Sequence, residues 1–416
     1  MGTKISLFGR EIFKRESYET GSKSLSQIIE FLTGGTKTNS GVNVTPEKAM
    51  EFSAVYGAVR IIAKTIASLD INVVKRDENG TEKLKHNLNY LLQGEPSTIF
   101  SKFNFWERVV TEILLNGNCF ILIKKDKRGI PENLSILDYT KISVIEKNGD
   151  LFYKYEIDGA KPKTYLSMDI LHFMELNTQG YLGKSPIDFA KENIGTGIAA
   201  QNQQGAYFGN GTRFNGYLKF PNKLTLDAQE KLSKSWLSKY GGTNAYKTPV
   251  LEEGMEYVRI DDDPSKAQTI ETRRFTVEEV ARVFGVPLHL LQDLTRSTNN
   301  NIEHQSIEFV QHCIRPRCEA LEDEMDRKLL TEDEKHKLDT FIEFDIDSLL
   351  RGDIAARMNK YQTLSNIGVM TPNEIRSLEG LKKSEQEGAD KLHVNSATVN
   401  LEDTIKNNTN EGSQDI

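Results

Sequence analysis

One long helical stretch constrains this chain more than any other feature, because it carries too little apolar surface to be buried. Residues 185–211 read "SPIDFAKENIGTGIAAQNQQGAYFGNG", with Asn202, Gln203 and Gln204 in a row. A helix this polar is expected to face water or to meet neighbours through polar surfaces, not to sit in a monomer's core. A second long polar helix, "DPSKAQTIETRRFTVEEVARVFGVP" (263–287), follows and stops at Gly285 and Pro287. Between them lies a strand–helix–strand insert: "NGYLKFPNKL", the helix "TLDAQEKLSKSWLSKYGG", then "TPVLEEGMEYVRI".

The 416 residues suffice for more than one core. A formal net charge of -7 argues against a protein that grips nucleic acid tightly. Three cysteines (Cys119, Cys313, Cys318) give no disulfide framework and suit a reducing compartment. The first residues lack the apolar run of a secretory signal, and no stretch approaches a membrane span. A soluble, cytoplasmic chain with no membrane partner is expected.

The sequence ahead of the first polar helix reads as an α+β body. Residues 1–45 are polar and rich in Gly, Thr and Ser, and are read as a mobile arm. Thr45 and Pro46 open an amphipathic helix carrying Val55, Val59, Ile62 and Ile66. Hairpins are expected at Asn79-Gly80 and Asn148-Gly149. "FNFWERVVTEILLNGN" is a helix ending at Gly117. Beyond the second polar helix, "DLTRSTNNNIEHQS" (293–306) reads as a polar loop, because Asn is a poor helix former. A helix bent at Pro316, a strand near 339–350 and two short helices, the second opened by Thr371-Pro372, follow. The tail from about Lys391 is expected to be disordered.

Three motifs invite chemistry and fail on spacing. "NTQGYLGKSP" sits between strand and helix like a phosphate loop. Counting back from Gly183-Lys184-Ser185, however, the required first glycine falls on Thr178. Ser185-Pro186 is an ordinary helix start. Asp261, Asp262 and Asp263 could be imagined around a metal, but adjacent carboxylates before a helix complement its dipole. Cys313 and Cys318, five apart with Pro316 between, are packing cysteines and not a zinc pair. No catalytic, metal or cofactor site is therefore expected.

The order of elements resembles the portal protein of tailed bacteriophages, in the branch found in long-tailed phages. The resemblance spans about 50–380 and is carried by "AVYGAVRIIAKTIASL", "GNCFILIKKDKRGIPENLSIL", "GYLGKSPI", "NGYLKFPNKLT", "ETRRFTVEEVARVFGVPLHLL" and "STNNNIEHQSIEFVQHCIRP". It implies an α+β portal fold assembled as a ring, usually a dodecamer, at one capsid vertex. Double-stranded DNA passes through such a ring during packaging and ejection. The terminase large subunit docks on its outer end and is later replaced by an adaptor or head-completion protein. Major capsid and scaffold proteins are further expected partners, and the portal itself hydrolyses nothing. The competing expectation is a DNA-processing nuclease or ATPase subunit, which would need the Asp261 cluster or the Gly180 loop.

The resemblance divides the chain into an arm (1–45), wing (46–184), first stem helix (185–211), clip (212–260) and second stem helix (261–287). A tunnel loop (288–304), a return to the wing (305–351), a helical crown (352–390) and a tail (391–416) follow. Arg296, Ser297, Thr298, Asn299, Asn300 and Asn301 are the candidates to face DNA, with Arg296 for transient phosphate contact. Lys231, Lys234, Trp236, Lys239 and Tyr240 are the candidates for docking on the clip. Charge agrees: residues 261–312 hold nine acids against five bases, residues 212–260 eight bases against five acids. A mildly acidic conduit with a more basic outer rim suits passage and not capture.

Overall fold

The computed structural model describes residues 38–393, apart from 78–79, 179, 210–215, 222, 241–250, 252–253, 260–264, 292–298, 351–353, 380 and 387. It also describes a short antiparallel pair near the start, β1 (Ser6–Leu7) and β2 (Arg10–Glu11). The expectations for most of the arm, for Asp261 to Asp263 and for the tail beyond residue 393 lie outside the described residues. Two compact units divide the chain, residues 1–345 and 346–416.

Residues 38–45 pack against the body, which corrects the reading of 1–45 as mobile throughout. Thr38 closes a tight turn: its carbonyl accepts the Gly41 N–H at 2.8 Å, and its N–H donates to Val42 O at 3.0 Å. Gly41 supplies the positive φ of 77° that the turn needs. Thr45 then caps α1 (Pro46–Glu51), its hydroxyl accepting the Lys48 N–H. The helix expected to run on unbroken stops at Phe52, whose ψ of 114° separates α1 from α2 (Ser53–Ser68). The break lets the Phe52 ring turn inward, where it is buried.

The body is built from three small antiparallel sheets. One has the order β13–β3–β4 (Thr340–Phe344, Ile71–Asp77, Gly80–Lys83). A second has the order β10–β5–β6 (Ile170–Met174, Asn118–Lys125, Pro131–Leu137). A third is β7–β8–β9 (Ile142–Lys147, Asp150–Tyr155, Lys163–Leu166). The β7–β8 turn is Asn148-Gly149, with φ of 58° and 90°, as a two-residue hairpin requires. β13 pairs with β3 across most of the chain, Ile342 opposite Val73.

Helix α2 packs on α3 (Lys102–Asn116), which Gly117 ends in the left-handed region. Trp106 of α3 is fully buried between two sheets, with ring centroids 6.5 Å from Phe173 of β10 and 6.0 Å from Phe344 of β13. Its indole N–H donates to Leu92 O at 3.1 Å, so the ring is buried without an orphaned donor. A smaller cluster, Phe120, Val144, Tyr153 and Ile170, joins the second and third sheets.

A helical segment that buries Val310, Ile314, Leu321 and Met325 yet carries charged side chains inward then runs through this core. The helix starting at Asn299 passes through a π-helical turn, Val310–Ile314, into the helix Arg315–Leu329. Pro316 has no N–H and its ring crowds the carbonyl four residues back; the wider π turn absorbs both defects. Glu322 and Asp326 accept the outward N–H groups of β13, from Phe344 and Ile342, each at 2.7 Å. Two residues round the helix, Glu324 accepts the His172 N–H of β10 at 2.9 Å, and Lys328 donates to Ile170 O. The two pairs lie on opposite sides of the helix. Charged side chains thus fill the hydrogen-bonding edges of two sheets at once.

Unit 346–416 is built on helices Ile354–Asn366 and Pro372–Leu378. Thr371 and Glu374 form a reciprocal capping box at the second. Buried Asn373 ties it down: its amide accepts the Ser384 N–H at 2.7 Å and donates to Ser384 O and Asp390.

Candidate functional site

The first polar helix, α4 (Pro186–Gly209), is placed by a buried polar chain. Tyr153 O–H lies 3.2 Å from His172 Nδ1, and His172 Nε2 lies 3.1 Å from Asn118 Oδ1. Asn118 Oδ1 is an acceptor only, so His172 carries its proton on Nε2 and accepts from Tyr153. Burial, aided by Lys328, holds the His172 pKa down at about 3, and burial lifts Tyr153 to about 12. Both stay neutral. Asn118 then grips Gly183 twice, accepting its N–H and donating to its carbonyl, each at 2.8 Å. Gly117 and Gly183 approach so closely that a Cβ on Gly117 would stand 2.6 Å from Gly183 O.

This fixes Ser185. Its hydroxyl donates to Leu114 O at 2.7 Å and accepts the Ile187 N–H at 3.0 Å. The "GKSP" stretch is therefore a buried helix start, and its serine is fully used by the protein itself.

Helix α4 runs antiparallel to α6 (Ser265–Phe284): Asn193 bonds Glu279 at 3.3 Å, and Gly197 faces Thr276. Each helix is divided. In α4, Ile187, Ala190 and Ile194 are buried, while Gln201, Asn202, Gln203 and Gly205 are exposed. In α6, Thr276, Val280, Ala281 and Phe284 are buried. The expectation of helices excluded from the core fails for their inner halves and holds for Gln201, Asn202, Gln203 and Gly205 of α4. Small residues explain the inner halves: a Cβ on Gly195 would meet Thr38 Oγ1 at 2.6 Å, and one on Gly197 would meet Thr276 Cγ2 at 2.7 Å. Asn39 N–H adds a bond to Glu192 at 3.0 Å.

The insert between them pairs β11 (Gly216–Lys219) with β12 (Glu256–Arg259) and carries α5 (Leu226–Tyr240). Thr225 caps α5, accepting the Ala228 N–H. Trp236 stacks on Tyr257 of β12, centroids 6.2 Å apart and planes within 19°. Lys231 and Lys234 are exposed and pair along the helix with Asp227 at 2.8 Å and Glu230 at 3.7 Å. Lys239 and Tyr240 close the same helix.

After α6, Gly285 takes a φ of 72° and the chain makes a 3-10 turn, Leu288–Leu291. Arg296, Ser297 and Thr298 lie outside the described residues. Asn299, Asn300 and Asn301 are not loop, as 288–304 was expected to be; they form the first turn of α7 (Asn299–Phe309). Asn is a poor helix former, but intrinsic propensity is a weak prior that tertiary context overrides. One contact that no motif announces spans this break: His289 Nδ1 lies 2.8 Å from Gln305 Oε1 and Nε2 3.4 Å from Ser306 Oγ.

The cysteines are packing residues. Cys119, Cys313 and Cys318 are buried and free, and burial pushes all three thiols up, Cys313 to about 11. No group of three or more metal-binding side chains occurs among the described residues.

Comparison with known proteins decides the family. The model of the family described as "Phage portal protein" matches residues 53–380. The chain belongs to the phage portal protein family. It is 30% identical over 401 residues to the probable portal protein of Streptomyces phage phiC31, covering 92% of this chain and 86% of that protein. It is 28% identical to the portal protein of Enterobacteria phage HK97, covering 82% of this chain and 81% of the other. The fold matches an HK97-family phage portal protein from Corynebacterium diphtheriae, with a TM-score of 0.56 at 15% identity over 77% of this chain and 98% of that one. It also matches a chain in the neck of an empty gene transfer agent (GTA) particle, with a TM-score of 0.54 at 20% identity, covering 85% and 98%. Portal proteins are structural components of the particle's head-to-tail connector. Among the described residues no helix is long and apolar enough to cross a membrane.

Proposed function

We propose that this portal chain is one subunit of a homo-oligomeric ring, a dodecamer at one capsid vertex of the virion, through which double-stranded DNA is packaged and ejected. The division of the stem helices carries this reading. One face of each inner half is buried, while Phe189 and Phe275 stand 52% and 57% exposed on those same halves and Gln201, Asn202 and Gln203 of α4 are exposed. Side surfaces of this kind suit contact with identical neighbours, each subunit presenting two unlike faces that close a ring. Related GTA necks were computed with C6 and with C12 symmetry, and both support a ring of identical subunits.

The insert is the clip. It offers Trp236 and the basic helix face of Lys231, Lys234 and Lys239, with Tyr240, to the terminase large subunit and then to an adaptor. Residues 292–298 and the Asn299–Asn301 turn line the channel, where uncharged amides and hydroxyls touch DNA without holding it. Arg296 makes the transient phosphate contact. Major capsid and scaffold proteins meet the ring while it assembles in the host cytoplasm. The chain hydrolyses nothing and needs no cofactor.

Negative-stain microscopy of the purified protein tests the ring: annular particles with a central hole are expected. A chain that stays monomeric at every concentration, with and without scaffold, overturns the reading. Replacing Asn299, Asn300 and Asn301 with lysine tests the channel; rings should form while packaging slows, since added cations grip phosphate.

A further inference from the structure

We infer that His289 is a positioning residue that locks the turn after the second long polar helix to the second half of α7. Its effect on DNA passage rests on the channel reading above; the lock itself does not.

Three contacts hold the turn Leu288–Leu291 in place. The stem helix ends where Cys313 Sγ donates to Phe284 O at 3.5 Å, so the cap of α6 sits on the π turn. Leu291 fits a notch in α2, where a Cβ on Gly57 would stand 3.0 Å from Leu291 Cδ2. These contacts fix the turn to the body on one side. His289 reaches the other way. Its Nδ1–H donates to Gln305 Oε1 at 2.8 Å, and Ser306 O–H donates to Nε2 at 3.4 Å. Both ring nitrogens are thus engaged on adjacent residues of α7.

A single side chain with a donor and an acceptor on a rigid ring fixes both distance and rotation, which a flexible side chain would not. His289 is a cross-brace between the turn Leu288–Leu291 and the second half of α7, where Gln305 and Ser306 stand. Beyond that contact Phe309 is buried at the end of the helix. Without the His289 contacts the turn of α7 around Gln305 and Ser306 should open more readily.

Amide exchange on the assembled protein tests the lock. In His289→Ala, peptides covering 304–309 should exchange about five-fold faster, the equivalent of roughly 1 kcal/mol for one hydrogen bond. His289→Asn, which keeps a donor near the Nδ1 position, should restore slow exchange. Unchanged exchange in His289→Ala overturns the inference, as does His289→Asn exchanging as fast as alanine. If His289→Ala does not fold, Gln305→Ala breaks the same bond from the other side and is read the same way. Packaging by these rings separates the two readings. With the lock broken, ring yield should hold while packaging falls, and His289→Asn should recover it. Faster exchange with undiminished packaging keeps the lock and removes its link to the channel.

Discussion

Asn118 and Gly183, 65 residues apart in sequence, are joined by two buried hydrogen bonds, one in each direction, both 2.8 Å long. The Asn118 amide stands where strand β5, the loop 175–185 and the start of the first stem helix converge. Removing it strands the Gly183 N–H and carbonyl and the His172 ring N–H in a dry site. Asn118→Ala should therefore cost about 3 kcal/mol, the range for several buried groups left unpaired. Chemical denaturation measures it. In rings that still form, the stem should be less protected from proteolysis at Lys184.

The edge of β13 makes stability depend on pH. Burial raises Glu322 from an ordinary 4.5 to about 7 and Asp326 from 3.8 to about 6. Glu343, Glu319 and Asp326 add to the rise at Glu322, and Asp323 to that at Asp326, against Lys335. The folded chain holds protons that the unfolded chain releases, so this contribution is full below about pH 4 and declines as pH rises through about 7. His172 acts oppositely: its pKa falls from 6.5 to about 3, so its contribution is present above about 6.5 and fades as pH drops toward 3. Comparing Glu322→Gln with wild type cancels the histidine. The variant should gain on wild type steadily from pH 5 to pH 8 in thermal melts; a constant difference would refute the assignment.

The glycines of α4 should behave in opposite ways. A Cβ on Gly205 meets nothing within 4 Å, whereas one on Gly195 or Gly197 strikes Thr38 or Thr276 inside 3 Å. Gly205→Ala should stabilise the isolated chain by about 1 kcal/mol through helix propensity. Gly195→Ala and Gly197→Ala should lose about 1–3 kcal/mol to overpacking despite the same propensity gain. Thermal melts of the three variants decide it. Gly195→Ala should also speed amide exchange at 38–42.

Docking on the clip should depend on Trp236 more than on the lysines. Its stacking on Tyr257 braces α5 against β12, while Lys231 and Lys234 already have partners on their own helix. Trp236→Ala should weaken capture of the terminase large subunit at least ten-fold by surface binding assays. Lys231→Ala should change mainly the salt dependence.

Sequence made the local signals plain. Asn148-Gly149, Gly117, Gly285 and the Thr45 and Thr371 caps all do what their chemistry requires, because each acts within a few residues. The strand–helix–strand insert between two long helices was equally legible. Long-range pairing was not: nothing near Phe341 says that it lies opposite Val74. The inner halves of the stem helices were misjudged because Gly195, Gly197 and Ala190 pack by being small, which an apolar pattern does not register. Propensity makes the asparagine run a loop, yet it is the first turn of a helix, because propensity is a weak prior beside tertiary context. Of the proposed channel and clip residues, sequence could name types but not neighbours, and it passed over His289 altogether.

The helix Arg315–Leu329 has a last consequence. A ring subunit is made as many identical copies in one cell, the condition under which open strands recruit one another. Here the outer edges of β10 and β13 are occupied by Glu324 and Lys328 on one side and Glu322 and Asp326 on the other. Neither strand can template a copy of itself in a crowded pool of unassembled chains. Strand pairing between copies along these two edges is thereby closed off before any subunit is placed.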